Sequence, residues 1–186
     1  MCRAHPSVRR RSSGVTLLEL MITVSVVAVI AGIAVPGFDA MVLNSRRVTA
    51  VNSLVHAVFL ARSTASQRGK TVSICRSVDQ RSCAPSMTGW QDGWIVFVND
   101  DRDQPPVRDE NEALLAVFEA LPSGTVTSNR TSYSFRPHYN GVVNGTVVFC
   151  DRRGSAHARA VIINYAGRPR VAALDSDKRP LRCPAG

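Results

Sequence analysis

Val15 to Phe38 reads VTLLELMITVSVVAVIAGIAVPGF, twenty-four residues with one charge, Glu19. As a helix, a run of that length is about 36 Å long, enough to cross the hydrocarbon core of a bilayer. The residues before it carry Arg3, Arg9, Arg10 and Arg11 and no acid. Positive charge stays on the cytoplasmic side, so everything after Phe38 is expected outside. A cleavable secretory signal is the competing reading, since it shares the basic start and the apolar stretch. Two features oppose it: the run is too long for an h-region, and no small-x-small site follows. The polar break, Ser12-Ser13-Gly14, comes before the run instead. An acid inside an apolar span is expensive, which makes Glu19 a functional candidate; the plainer reading is a charge near enough to the interface to stay hydrated.

The formal net charge of +9 is concentrated at the chain ends. Residues 15–150 hold eleven basic and eleven acidic side chains, whereas Asp151 to Gly186 holds seven Arg, Lys178 and three Asp. Five cysteines occur, and removal of Cys2 with a leader leaves Cys75, Cys83, Cys150 and Cys183. An even set in a small exported domain favours disulfides, and no spacing fits a zinc site. Of the three possible pairings, the favoured one joins Cys75 to Cys83 locally and Cys150 to Cys183 at long range. Four buried thiols are the alternative.

Beyond Pro36-Gly37, where proline is expected to kink or loosen the helix, the helical pattern resumes. Val48, Val51, Leu54, Val55, Val58 and Phe59 recur at three- and four-residue steps, with Arg46, Arg47, Asn52 and Arg62 off that stripe. Gly69 is placed to end the helix. Short strands are predicted over 71–76, 94–99, 113–121, 131–136, 146–150, 158–165 and 171–174, with turns at Asn140-Gly141 and Asn144-Gly145. The predicted organisation is a leader over 1–14, a transmembrane helix over 15–38, an amphipathic helix over 39–68 and a β-rich domain over 69–186. That is an α+β chain, a long N-terminal helix packed on one or two antiparallel sheets.

Three features bear on chemistry. The acidic loop Asn99 to Asp103, with Asp109, Glu110 and Glu112, has carboxylates enough for calcium, but Pro105 and Pro106 fall where an EF-hand needs its glycine turn. A solvated hairpin loop is the better reading. His56, His138 and His157 meet no nucleophile motif, so neither an enzyme nor a cofactor is expected. In Asn164 to Arg170 a turn leaves a strand, with Gly167 free to take positive φ. If extended, Arg168 and Arg170 leave one face about 6.5 Å apart, and Pro169 keeps them at an edge or in a loop. Two forked cations suit successive phosphates. Arg152, Arg153, Arg159, Lys178, Arg179 and Arg182 widen that footprint, while a solvated charged face is the bland alternative.

Gly14 followed by V-T-L-L-E resembles the type IV prepilin cleavage motif, with Val15 where phenylalanine is usual. The resemblance implies cleavage after Gly14 by prepilin peptidase and N-methylation of Val15. It also implies that Glu19 pairs with a neighbouring subunit's α-amine and that Pro36 occupies the proline position of the pilin helix. The segment TVSICRS…RSC, the run W-x-x-G-W-I-V-F-V over 90–98, the acidic loop and V-V-F-C-D are similar to the GspH/FimT group of minor pilins. That similarity implies a type IV pilin-like fold, an inner-membrane anchor with the β-rich domain in the periplasm, and filament assembly with other major and minor pilins. FimT-type members carry a GRxR motif implicated in DNA binding during natural transformation, and Gly167, Arg168 and Arg170 match it. The expectation is a FimT-like minor pilin binding double-stranded DNA non-specifically. The alternative is a GspH-like pseudopilin of type II secretion, or a pilus-priming subunit, that binds none.

Overall fold

A computed structural model describes residues 14–85, 88–119, 121, 124–137 and 144–184. The leader arginines, Cys2, His5, His138 and the Asn140-Gly141 turn lie outside the described residues. Among the described residues one α-helix, α1 (Leu17–Arg68), leads into eight strands. The chain divides into two units, Met1–Val42 and Leu43–Gly186.

In the first unit, α1 runs as helix on both sides of Pro36. Proline removes one backbone donor, and the helix on either side carries the chain through it. The apolar side chains from Leu17 to Ile33 stand exposed. An 18-residue window here is apolar enough to cross a membrane and buries nothing within the protein. Its hydroxyls are satisfied internally: Thr23 Oγ1 donates to Leu20 O at 2.8 Å and Ser25 Oγ to Met21 O at 2.7 Å. A lipid-facing helix needs that, because hydrocarbon offers no partner to a polar group.

The second unit has two four-stranded antiparallel sheets. The first runs β3 (Leu114–Phe118), β2 (Trp94–Asn99), β1 (Thr71–Arg76), β5 (Ser132–Phe135). The second runs β4 (Gly124–Ser128), β6 (Gly145–Asp151), β7 (Arg159–Ile163), β8 (Pro169–Ala172). The core joins Ala50, Leu54, Ala57, Val58, Ala61 and Ala65 of α1 to Val72, Ile74, Trp94 and Val96 of the first sheet and Val147, Phe149, Val161 and Ile163 of the second. The buried stripe is therefore richer in alanine than the sequence pattern implied. Val48 and Phe59 are 45% and 52% exposed, and Arg47 is buried. Counting only large apolar residues displaces the face, because alanines are what let a helix approach a sheet closely.

The strand expectations fail in two places. Gly124–Ser128 is a strand that the pattern hid, since only Val126 of GTVTS is buried. β8 begins at Pro169 rather than Val171, which brings Arg170 into the ladder opposite Ile162. Gly69 ends α1 at φ +65°.

Each sheet's outer face is covered by a disulfide-anchored segment. Cys75–Cys83 holds a loop over Ile95 and Phe97. Asp79 ties that loop, accepting from Arg81 N, Ser82 N and the Ser77 and Ser82 hydroxyls. Cys150–Cys183 holds the C-terminal tail so that Leu181 packs on Ala158, Ala160 and Ile162.

Candidate functional site

Three places carry the residues that chemistry singles out. The first is the foot of α1. Thr16 Oγ1 accepts the backbone N–H of Glu19 at 3.2 Å, and Leu20 N donates to Thr16 O. Thr16 thus acts as the N-cap and Glu19 stands at the third helical position, the spacing of a capping box. The observed cap uses the Glu19 backbone N–H and the Thr16 hydroxyl. Gly14 and Val15 precede it, both exposed.

The second is a buried ion cluster that the sequence reading passed over. Arg47 reaches from α1 to the carbonyl of His157 and to Asn44 Oδ1. Its guanidinium lies 3.9 Å from Asp151 Oδ2, and Arg153 meets the same oxygen at 2.6 Å. The Arg47 and Asp151 side chains are only 8% and 5% exposed. The hydrogen bond from Arg153 holds the Asp151 carboxyl below the usual carboxylate range, against the opposing effect of burial. Burial, and then Arg159 and Arg153, lower Arg47. Arg153 thus serves this cluster instead of standing free for an outside phosphate. Arg159 is turned toward α1's side of the sheet, since it pairs with core residue Phe149.

The third is the β7–β8 hairpin. Gly167 N donates to Asn164 O at 2.8 Å, Asn164 N to Arg168 O at 3.1 Å, and Arg168 N to Asn164 Oδ1 at 2.9 Å. With Gly167 at φ +67° this is a tight turn closed by a glycine in the left-handed region. The glycine is needed twice over. An ideal Cβ there would sit 3.0 Å from Phe135 Cε1. Gly167→Ala is expected to lower stability by about 1–3 kcal/mol through backbone strain and contact with that ring, measured as a lower melting temperature. A variant as stable as the parent would refute this account of the turn.

Arg168 and Arg170 are exposed, and neither guanidinium has a partner among the described residues. Arg170 shares the face of Ile162, the one crossed by the tail, and β8 is the sheet's edge. Tyr165 at the turn is 66% exposed. In the tail, Lys178 and Arg182 are exposed. Arg179 differs: Asp175 and Asp177 both pair with it, so it closes its own loop and is a poor candidate for phosphate. Of the expected basic set, Arg168, Arg170, Lys178 and Arg182 remain available.

Within the acidic loop the carboxylates of Asp101, Asp103 and Glu112 are taken up by the loop's own donors. Asp103 accepts from Asn99 Nδ2 and Val107 N, Glu112 from the N–H groups of Asp100 and Asp109, and Asp100 pairs with Lys70. Among the described residues no three His, Cys, Asp or Glu side chains come together to hold a metal.

A single exposed apolar helix that continues into a head of two antiparallel sheets is the architecture of a pilin-type subunit. The chain belongs to the GspH family: the model for Type II transport protein GspH matches residues 50–167, and the prokaryotic N-terminal methylation motif matches residues 9–35. The fold is similar to that of the type IV minor pilin FimU of Pseudomonas aeruginosa PAO1 in two crystal forms, each 20% identical in sequence. One gives a TM-score of 0.51 over 73% of this chain and 98% of that one. The other gives 0.48 over 73% and 92%. No curated protein sequence matches the chain significantly.

Proposed function

We propose that this chain is a FimT-like minor pilin that joins a type IV pilus and binds extracellular double-stranded DNA for uptake in natural transformation. One observation carries the DNA reading: Arg168 and Arg170 stand exposed and unpaired on a rigid hairpin at a sheet edge, while Arg47, Arg153 and Arg179 are held in ion pairs. Unpaired guanidinium groups lose no internal bond on meeting a phosphate, which each engages through two N–H donors. With few side chains placed to read base edges, binding is non-specific and weakens steeply with salt.

In this reading prepilin peptidase cuts after Gly14 and Val15 becomes the methylated first residue. The apolar half of α1 anchors the subunit in the inner membrane, with the head in the periplasm, until assembly with other major and minor pilins. Glu19 then pairs with a neighbour's α-amine, an arrangement in which a buried carboxylate is tolerated because it is compensated. The subunit has a structural and binding role and catalyses nothing.

The test is a gel shift with the full chain in zwitterionic detergent. Arg168→Ala with Arg170→Ala is expected to abolish retardation of a duplex while leaving the melting curve unchanged. Binding equal to the parent's would overturn the assignment. A second reading, a GspH-like pseudopilin of type II secretion, draws on the family match, whose range ends at Gly167, just before the two arginines. It predicts no retardation by the parent at all.

A further inference from the structure

The basic surface at the hairpin extends onto residues distant in sequence. Gly167 packs against Phe135, the last residue of β5, so the edge of the first sheet meets the turn of the second. The same glycine faces α1: an ideal Cβ on it would lie 3.8 Å from Arg62 Cδ. Arg62 is one residue beyond the fully buried Ala61, at the rim of the helix face that packs into the core, and its own side chain is half-buried. Arg136 directly follows Phe135 and is exposed. Neither guanidinium has a hydrogen bond or ion pair among the described residues.

Charges on the two sides of β8 have different origins. Val161 and Ile163 turn toward α1 in the main core, whereas Ile162 and its partner Arg170 face the opposite side. Arg62 therefore belongs to the helix side of the edge strand and Arg170 to the tail side, with Arg168 at the end of the strand between them. No acidic residue lies in the hairpin 164–170 or next to Arg62 or Arg136 in sequence. Unpaired guanidinium groups thus stand on the hairpin at Arg168 and Arg170, Arg62 reaches Gly167 from α1, and Arg136 directly follows the β5 residue whose ring Gly167 meets.

We propose that Arg62 and Arg136 contact phosphates of the same duplex held by Arg168 and Arg170, so that the edge hairpin lies against DNA with cations on both flanks. This rests on the DNA-binding reading above. It assigns a binding role to two residues outside the C-terminal segment. A wider cationic footprint displaces more counterions, and the salt dependence of binding counts them.

The test measures duplex affinity against salt concentration for the full chain in zwitterionic detergent. Arg62→Ala with Arg136→Ala is expected to weaken binding uniformly across sequences. It should also flatten the slope of log K against log salt by about 1.8, or about 0.9 for each phosphate no longer neutralised. Arg62→Lys with Arg136→Lys should keep the parent's slope, which a purely steric role of the two side chains would not require. If the alanine pair keeps the parent's slope and affinity while Arg168→Ala with Arg170→Ala loses binding, the footprint is confined to the hairpin and the extension is wrong. If the hairpin variant binds like the parent, the DNA-binding reading fails and the extension falls with it.

Discussion

Asp151→Ala is expected to lower the unfolding free energy by roughly 3–5 kcal/mol, the cost of leaving buried charge uncompensated. Asp151 accepts from Arg153 at 2.6 Å and sits 3.9 Å from Arg47, with both Asp151 and Arg47 almost fully buried. Removing the carboxylate leaves the Arg47 and Arg153 guanidinium groups facing each other beside Arg159, where burial first and then these two arginines already lower Arg47. Asp151→Asn keeps the shape and isolates the charge. Because the folded carboxyl is held below its unfolded value, its contribution is complete above the ordinary aspartate pKa of about 3.9. It is lost as pH falls through the lower folded value. The parent should therefore lose stability on acidification more steeply than Asp151→Asn. Asp79, whose carboxyl is also lowered, by the Ser82 hydroxyl first and then by backbone N–H groups, remains in both proteins and leaves a residual slope. Thermal melts of the alanine variant and pH-dependent melts of the asparagine variant check this. A melt of the alanine variant superimposable on the parent's would show that the cluster contributes nothing net.

Cys150→Ser with Cys183→Ser should be nearly as damaging. The bond spans 33 residues, and the loop-entropy relation gives about 3.7 kcal/mol for a closure of that length. The eight-residue Cys75–Cys83 loop gives about 2.5 kcal/mol by the same relation. Loss of the long-range bond also frees the tail, so Leu181 leaves Ala158, Ala160 and Ile162. In a chain of this size the two serine pairs should lower the melting temperature by roughly 7–15 °C and 5–10 °C respectively. The order matters more than the values, and the reverse order would contradict a loop-closure origin. DNA retardation should outlast removal of Cys150–Cys183, because β8 is held to β7 by its own ladder. A loss of retardation would mean that the tail, through Lys178 and Arg182, matters more than the hairpin.

Several elements could be read directly along the chain. The apolar run with its one acid marks the first half of α1, and β1 and β2 fall on the residues expected, since TVSICR and WIVFVN are buried along their whole length. WIVFVN shows as a continuous apolar stretch up to Asn99, as a strand buried on both faces does, whereas TVSICR interleaves Val72, Ile74 and Cys75 with polar Thr71, Ser73 and Arg76. The glycine of the hairpin could also be read, because a turn between two strand-like runs calls for positive φ. Where burial was one-sided and side chains were small or polar, the pattern was silent. GTVTS carries a single buried valine, and the helix stripe is made largely of alanine.

Covalent sequence alone determined what local physics enforces: an anchor too apolar for water, a helix stop at Gly69, strands where β-branched residues cluster, and two arginines that proline keeps at an edge. Tertiary structure decided the fate of charge. Whether an arginine is spent on a carboxylate or left free depends on neighbours far away in the chain. Arg47 on the helix meets Asp151 at the end of β6, Arg179 is taken by its own loop, and Arg62 is brought beside Gly167. Such pairings follow from how a helix and two sheets stack, and Coulomb interactions act on distance in space, not on order along the backbone.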